Sequence, residues 1–261
     1  MESAVLAGEE YRNLSLDKAF QSLPPGMKQR VRKEITRRIW IFQPLRLVYV
    51  TTPKVGTSSL LRHFHAMAGV EMSDTAILNR QPSDPGVLSV KHFGFRPFLQ
   101  EINSDSWIRV AAVRNPYLRI LSCYLNKLHG RTAIADTSMI SAAKRVGFVE
   151  GKGLDFTTFL RNVSEQEPRN MNGHWCPQSN LILPEKIRYN AIIRLESFNE
   201  DFRALLKILD SRYTDFDRVY NSTSSEKRID KFYTSEAVDL ARNIYSEDFS
   251  EFDYSTEFNF S

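Results

Sequence analysis

Residues 47–60 read Leu-Val-Tyr-Val-Thr-Thr-Pro-Lys-Val-Gly-Thr-Ser-Ser-Leu, an apolar run that breaks at Pro53 and resumes as a helical pattern after Gly56. A strand that empties through a short hydroxyl-rich loop into a helix is the building unit of α/β proteins. The first backbone N–H groups of such a helix have no intrahelical acceptor and point together above the loop, where they favour an oxyanion. Around Val55, Gly56 permits close backbone approach, Thr57, Ser58 and Ser59 add hydroxyl donors, and Lys54 adds a mobile positive charge. Leu60, Phe64, Met67 and Ala68 share one helical face, and Gly69 stands at the C-terminal cap. Plain strand-to-helix connections use the same small residues, so the loop alone leaves anion binding and simple connection both open. Lys54 precedes Gly56, whereas a Walker A loop requires Lys after its last Gly.

Further along, Pro85–Val90 reads as a second short strand ending at Lys91-His92, and Trp107–Val113 as a third running into Arg114-Asn115-Pro116. Pro116 suits the first turn of a helix whose buried face is Leu118, Leu121, Leu125 and Leu128, with Gly130 as its stop. Ala191–Leu195 is a further strand, leading to Glu196. Strands alternating with helices predict an α/β fold around a central parallel sheet, with ligands beyond the carboxyl ends of the strands. The loops at Lys54, His92 and Arg114 all sit at such ends.

Residues 129–153, polar and punctuated by glycines, read as a mobile excursion or lid. Asp155 caps a short helix burying Phe156, Phe159, Leu160 and Val163, and an irregular stretch from Ser164 to Asn180 follows. Ser197 with Glu200 predicts a capping box, with Phe202, Leu205 and Leu209 inside the helix it opens. A last helix spans Thr234–Phe249 and buries Val238, Ala241 and Tyr245. Before Pro44 the chain reads as two helices broken by Pro24-Pro25-Gly26, the second carrying an apolar stripe at Met27, Val31, Ile35 and Ile39. Its many Lys and Arg residues form a solvated basic face or a surface for polyanions or membranes. The division expected is an N-terminal helical extension over 1–44 and a main domain over 45–261.

With 261 residues, 42% of them hydrophobic and 25% charged, the chain can bury one full core with a helical appendage. A net charge of +4 fits a local basic site better than a nucleic-acid-coating surface, so no nucleic-acid partner is expected. Cys123 and Cys176 are the two cysteines, and no His/Cys/Asp cluster has metal-ligand spacing. Glu9, Glu10, Tyr11 and Arg12 interrupt any apolar leader near the start. The expectation is a soluble, cytoplasmic protein without stable membrane insertion. On that basis, the matches to the glycosylation acceptor pattern at Asn13, Asn162 and Asn221 are chance.

In Val113-Arg114-Asn115-Pro116-Tyr117-Leu118-Arg119-Ile120-Leu121-Ser122-Cys123-Tyr124, an arginine at a strand end and a serine eight residues later can hold a second phosphate. Here a resemblance becomes specific. Pro53-Lys54-Val55-Gly56-Thr57-Ser58 resembles the 5′-phosphosulfate loop, and Arg114-Asn115-Pro116 with Ser122 and Tyr124 the 3′-phosphate motif, of sulfotransferases that use 3′-phosphoadenylyl sulfate (PAPS). The closer match is to the carbohydrate sulfotransferase branch, including the chondroitin type. His174-Trp175-x-Pro-Gln178, the Leu195–Asp201 segment and Tyr245-x-x-Asp248-Phe249-x-x-Phe252 carry the resemblance from about residue 46 to the end.

That resemblance implies a P-loop-like three-layer α/β fold and metal-free transfer of a sulfuryl group to a hydroxyl or amine. The acceptor would be a saccharide or small molecule, with 3′-phosphoadenosine 5′-phosphate (PAP) as product. Lys54 would contact the leaving group, with Val55, Gly56, Thr57, Ser58 and Ser59 holding the 5′ phosphosulfate. Arg114 and Ser122 would hold the 3′ phosphate, supported by Ser225 and Arg228. His92 is the leading candidate for the base, its alternative being a structural His beside Phe93; Glu196 and His174 are the other choices. His174, Trp175 and Glu196 are the candidate acceptor contacts, although Trp175 could equally be core and Glu196 could belong to the helix start beside it. A nucleotide kinase-like phosphotransferase is disfavoured by the order of Lys54 and Gly56. A non-catalytic nucleotide- or polyanion-binding module is disfavoured by the joint presence of Lys54, His92, Arg114 and Ser122.

Overall fold

A computed structural model of the protein describes residues 38–73, 82, 84–90, 104–134, 137–185, 187–210 and 225–260. The sheet begins with Ile-Trp-Ile-Phe, strand β1 (Ile39–Phe42), buried on both faces. A 3-10 turn over Gln43–Leu45 and Arg46 in the left-handed region (φ 47°) lead into β2 (Leu47–Val50). So short a connection permits only a hairpin, and the two strands pair antiparallel with Ile39 opposite Val50 and Phe42 opposite Leu47. Helix α1 (Thr57–Met67) follows. Strand β3 (Val87–Leu88) pairs antiparallel with the far side of β1, while β4 (Ile108–Val113) lies parallel to β2 and β5 (Ala191–Arg194) parallel to β4. The order is β3-β1-β2-β4-β5.

The sheet is therefore mixed, which corrects the expectation of a parallel one. Only its second-position strand is reversed, so β2, β3, β4 and β5 run one way and their carboxyl ends share an edge. Ile39 also belongs to this sheet and not to a helical stripe, so pairing begins before the expected boundary at residue 44. A contiguous apolar run contains positions at every period, and Ile39 completed a four-residue spacing by coincidence. The two expected N-terminal helices, His92, and the loop 221–224 lie outside the described residues.

Alternation along the strands sends Trp40, Phe42, Tyr49, Val110 and Ala112 to one face, where α1 packs with Leu60, Leu61 and Phe64. Helix α2 (Pro116–Lys127) leaves β4 behind an Asn115 cap, whose side-chain oxygen accepts from the N–H of Tyr117 at 3.0 Å. The described residues of 129–153 pack on the core instead of forming an excursion: they contain α3 (Thr137–Arg145), and Met139, Ala142, Ala143, Val146 and Phe148 join the apolar cluster of α2. Helix α4 (Phe156–Ser164) enters the same cluster, its start fixed by Asp155 accepting from Thr158 N–H at 2.9 Å. Short helix α5 (Gln178–Ile182) sends Ile182 to the second face of the sheet, beside Ile39, Ile41, Val48, Val50, Ala111 and Val113.

After β5, a 3-10 turn (Leu195–Ser197) leads to α6 (Phe198–Ile208), which covers the first face with Phe202 and Leu205. The expected capping box does not form. Ser197 Oγ donates to Asp201 Oδ2 at 2.9 Å, and the same carboxylate accepts Arg194 N–H at 2.7 Å. Helix α7 (Ile229–Phe232) precedes α8 (Ser235–Ile244) and α9 (Ser246–Glu251), so the expected last helix is broken at Tyr245. That break serves packing, because Tyr245 is fully buried and its hydroxyl donates to Trp175 O at 2.7 Å.

Candidate active site

The loop between β2 and α1 is built from two left-handed residues, Lys54 (φ 75°) and Gly56 (φ 76°). Gly56 is the N-cap, and its carbonyl accepts from Ser59 and Leu60 N–H at 2.9 and 3.1 Å. A β-carbon at position 56 would stand 3.0 Å from Leu195 Cδ1, so the end of β5 presses directly on the turn. Lys54 has no such exemption, and its left-handed backbone costs roughly 1–2 kcal/mol, strain of the kind found at ligand clamps. Thr57 Oγ1 donates to Thr52 O, closing the loop on itself. Val55 is fully buried in the core, leaving its backbone as the part available to a ligand, while Thr57 and Ser58 are half-exposed. Ser59 is buried beneath them.

At the end of β4, Arg114 is 2% exposed. Its guanidinium donates to Ser225 Oγ at 2.9 Å and reaches Lys54 O at 3.5 Å, and Glu226, an exposed carboxylate, lies 3.6 Å away. Burial lowers the Arg114 pKa, opposed by Glu196 and Glu226; arginine nonetheless stays protonated at any physiological pH. The Arg114 backbone is gripped as by another strand, because the Gln178 side chain accepts from its N–H and donates to its carbonyl, both at 2.9 Å. Gln178 is fixed in turn by Asp248, which accepts from Gln178 N–H at 2.8 Å and Ser179 N–H at 2.8 Å. Burial raises the Asp248 pKa, against the opposing pull of Arg119 and those N–H groups.

Ser122, on α2 behind Arg114 in sequence, is 1% exposed and its Oγ has no hydrogen-bond partner among the described residues. A buried hydroxyl left unmatched costs about 1–3 kcal/mol, so this one points to an absent acceptor. Thr52 Oγ1, in the loop itself, is in the same condition. The two candidate halves of the site are thus joined, with the Arg114 side chain touching the Lys54 carbonyl and Ser225 brought in from the C-terminal part of the chain. Arg228 lies one turn further, its guanidinium 5.7 Å above the Phe232 ring.

The acceptor candidates separate. Trp175 is fully buried, packed edge-on against Phe159 at 5.8 Å with its ring N–H on Gln166 at 3.3 Å. A ring enclosed in the core cannot stack on a ligand, and Trp175 leaves the list of contacts. His174 beside it is half-buried, and Asn172 Oδ1 accepts from both its backbone N–H and its Nδ1–H, at 2.9 and 2.8 Å. Glu196 follows β5 on the same sheet edge, exposed yet held by Asn115 N–H and the Tyr254 hydroxyl, both at 2.9 Å. Among the remaining histidines, His63 and His65 are buried in α1, with His65 against Leu61 O and Asp84, and His129 packs on Phe232 at 5.0 Å.

Arg119, Gln178 and Asp248 were not among the candidate site residues. Arg119 is 1% exposed and spends its guanidinium on main-chain carbonyls of two loops, Pro53 O at 3.1 Å, Cys176 O at 2.9 Å and Gly173 O at 3.2 Å. An apolar helix face with a charged residue in its middle is the available sequence signal for such a residue.

The family model described as "Sulfotransferase family" matches residues 37–255. The chain belongs to the sulfotransferase family. It is similar to carbohydrate sulfotransferase 14 of Homo sapiens, 26% identical over 191 residues that make up 71% of this chain and 49% of the human protein. It is also similar to carbohydrate sulfotransferase 8 of Mus musculus, 23% identical over 243 residues (85% of this chain, 57% of that protein), and carbohydrate sulfotransferase 9 of Homo sapiens, 22% identical over 240 residues (85% and 54%). The chain spans about half the length of these curated relatives. No solved structure matches it significantly. The resemblance carried by the two loop motifs thus extends to most of the chain. Among the described residues, no helix is long and apolar enough to cross a membrane.

Proposed function

We propose that this sulfotransferase-family protein transfers a sulfuryl group from PAPS to a saccharide hydroxyl. The observation that carries the reading is the junction at the sheet edge: a turn with two left-handed residues, touched by a buried arginine, together with a buried serine hydroxyl on the helix that follows this arginine, which has no hydrogen-bond partner among the described residues. The donor's 5′ phosphosulfate would sit on the amides and hydroxyls from Val55 to Ser59, with Lys54 on the oxygen bridging sulfur and phosphorus. Its 3′ phosphate would take Arg114, Ser122 and Ser225, exchanging the loose, exposed Glu226 contact for charge-assisted hydrogen bonds. Arg228 would extend the same positive edge.

In this reading the acceptor oxygen attacks sulfur in line as the sulfur–oxygen bond to the 5′ phosphate breaks. The acceptor's proton passes to His92, and the leaving phosphate oxygen keeps its electron pair beside the Lys54 ammonium, releasing PAP. As in phosphoryl transfer, the protein contributes position and charge compensation. His174 would contact the acceptor. Glu196, held by Asn115 and Tyr254, would orient the helix start beneath the donor and border the acceptor. The saccharide assignment rests on the names of the relatives, all carbohydrate sulfotransferases.

The test is transfer of labelled sulfate from PAPS to a panel of saccharides and small alcohols, with wild type and H92A side by side. The expected result is a labelled saccharide, lost in H92A while PAP binding persists. Absence of transfer to every acceptor with PAPS bound would overturn the enzymatic reading; a fully active H92A would reassign the base to Glu196 or His174.

A further inference from the structure

We infer that Arg119 is a positioning residue that sets the donor loop and the His174 loop in register, through one guanidinium hydrogen-bonded to Pro53, Gly173 and Cys176. This rests on the proposed sulfate transfer, because it assigns the two loops to donor and acceptor. The three bonds run from three different nitrogens, Nε to Pro53 O at 3.1 Å, one terminal nitrogen to Cys176 O at 2.9 Å and the other to Gly173 O at 3.2 Å. The Gly173 and Cys176 carbonyls bracket His174 and Trp175, and the Pro53 carbonyl is the peptide immediately before Lys54. A planar, rigid fork of donors serves three carbonyls in two loops at once, which a flexible ammonium cannot do.

Stereochemistry gives the bonds a direction. Because the peptide is planar and trans, the Pro53 carbonyl turned toward Arg119 puts the Lys54 N–H on the opposite side, and the Lys54 carbonyl turned toward Arg114 does the same for Val55 N–H. Two arginines on one stretch of chain, at its strand end and one turn into α2, thereby orient two consecutive peptides of the turn. Arg119 continues the connection to the acceptor side through its guanidinium, whereas Arg114 meets the same loop through its backbone at Gln178. Its burial argues for more than packing: a cation 1% exposed, bonded to neutral carbonyls, carries a desolvation cost that an apolar residue of similar size would avoid. Donor and acceptor must meet in line, and a misplacement of about 1 Å costs on the order of 10²-fold in rate.

The experiment is a double-mutant cycle with R119K and H174A, read as kcat for sulfate transfer and as PAP affinity by calorimetry, with hydrogen exchange on the wild type as an independent arm. R119K keeps the charge and loses the fork. It should retain PAP affinity within about threefold while kcat falls about 10-fold or more, and the two kcat losses should fail to multiply in the double variant, because Arg119 acts through the His174 loop. PAP binding to wild type should slow exchange at the amides of Trp175 and Cys176. Losses that multiply, or exchange in that loop indifferent to PAP, would overturn the inference; the exchange arm decides the matter if R119K does not fold. Wild type that binds no PAP would sink the sulfate-transfer reading itself and this inference with it. Wild type that binds PAP and transfers sulfate beside an additive cycle would sink the inference alone.

Discussion

The loop at residues 51–59, the proposed donor loop, and the loop at residues 172–178 are joined through Arg119 but are ordered by different means. The first is organised largely from within, by two left-handed residues, the Thr57 hydroxyl closing on the Thr52 carbonyl and a helix start beneath it, with Arg119 and Arg114 on the Pro53 and Lys54 carbonyls as its outside holds. The second has little regular structure of its own. It is held by side chains from elsewhere, with Arg119 on the Gly173 and Cys176 carbonyls, the Tyr245 hydroxyl on the Trp175 carbonyl, and Asp248 on the amides of Gln178 and Ser179. Order that a segment makes for itself tolerates distant change, whereas borrowed order depends on every lender.

That contrast predicts separable losses. The largest belongs to K54A, expected to lower kcat about 10²- to 10³-fold, the range for losing one group that stabilises transition-state charge, with the unfolding midpoint little changed, since alanine keeps the β-carbon. Next comes D248A, which leaves the Gln178 and Ser179 amides without their acceptor; urea titration should show a loss of about 2–3 kcal/mol and proteolysis a nick within the 172–178 loop. Equal thermal damage from both variants would erase the distinction between the loops.

S122A sharpens it. Removing a buried hydroxyl that lacks a partner among the described residues should leave the nucleotide-free protein as stable or slightly more so, yet weaken PAP binding about 10-fold or more, because hydrogen bonds to charged groups contribute about 1.5–3 kcal/mol. Smallest is D155A at α4, another locally organised start, expected to cost about 1 kcal/mol. Burial would raise the Asp155 pKa, but the Thr158 N–H and neighbouring amides hold it below the usual 3.8. A depressed carboxylate stabilises the fold above its unfolded value and loses that contribution as pH falls through the folded one, so the gap between wild type and D155A should close below about pH 4 in acid unfolding curves.

The same contrast explains what could be read from the chain. Lys54–Ser59, the Asn115-Pro116 helix start, the Asp155 cap and strand β4 are local patterns, visible in a few consecutive residues. Strand β1 escaped because Ile39–Phe42 is apolar throughout and has no period of its own; its pairing with β2 and β3 decides its state. Helix α3 escaped because glycines and polar residues surround apolar positions that matter only against α2 and α4. Trp175 and His174, adjacent in sequence, could not be told apart until Phe159 and Gln166 enclosed one of them. The capping role given to Glu200 went to Asp201, which the turn at Leu195–Ser197 brings under Arg194. Arg119 and Asp248 act across some fifty and seventy residues of chain, distances over which no sequence pattern speaks.

In the proposed reaction, the turn at Lys54–Ser59 and the Arg114–Ser122 pair form one clamp for an adenosine phosphorylated at both its 3′ and 5′ positions. Titration calorimetry of the wild-type protein with PAP and with adenosine 5′-phosphate tests it directly, since the two ligands differ only in the 3′ phosphate. The clamp predicts PAP tighter by about 100-fold or more, with most of the advantage gone in R114A. Equal affinity for the two nucleotides in the wild type would contradict it.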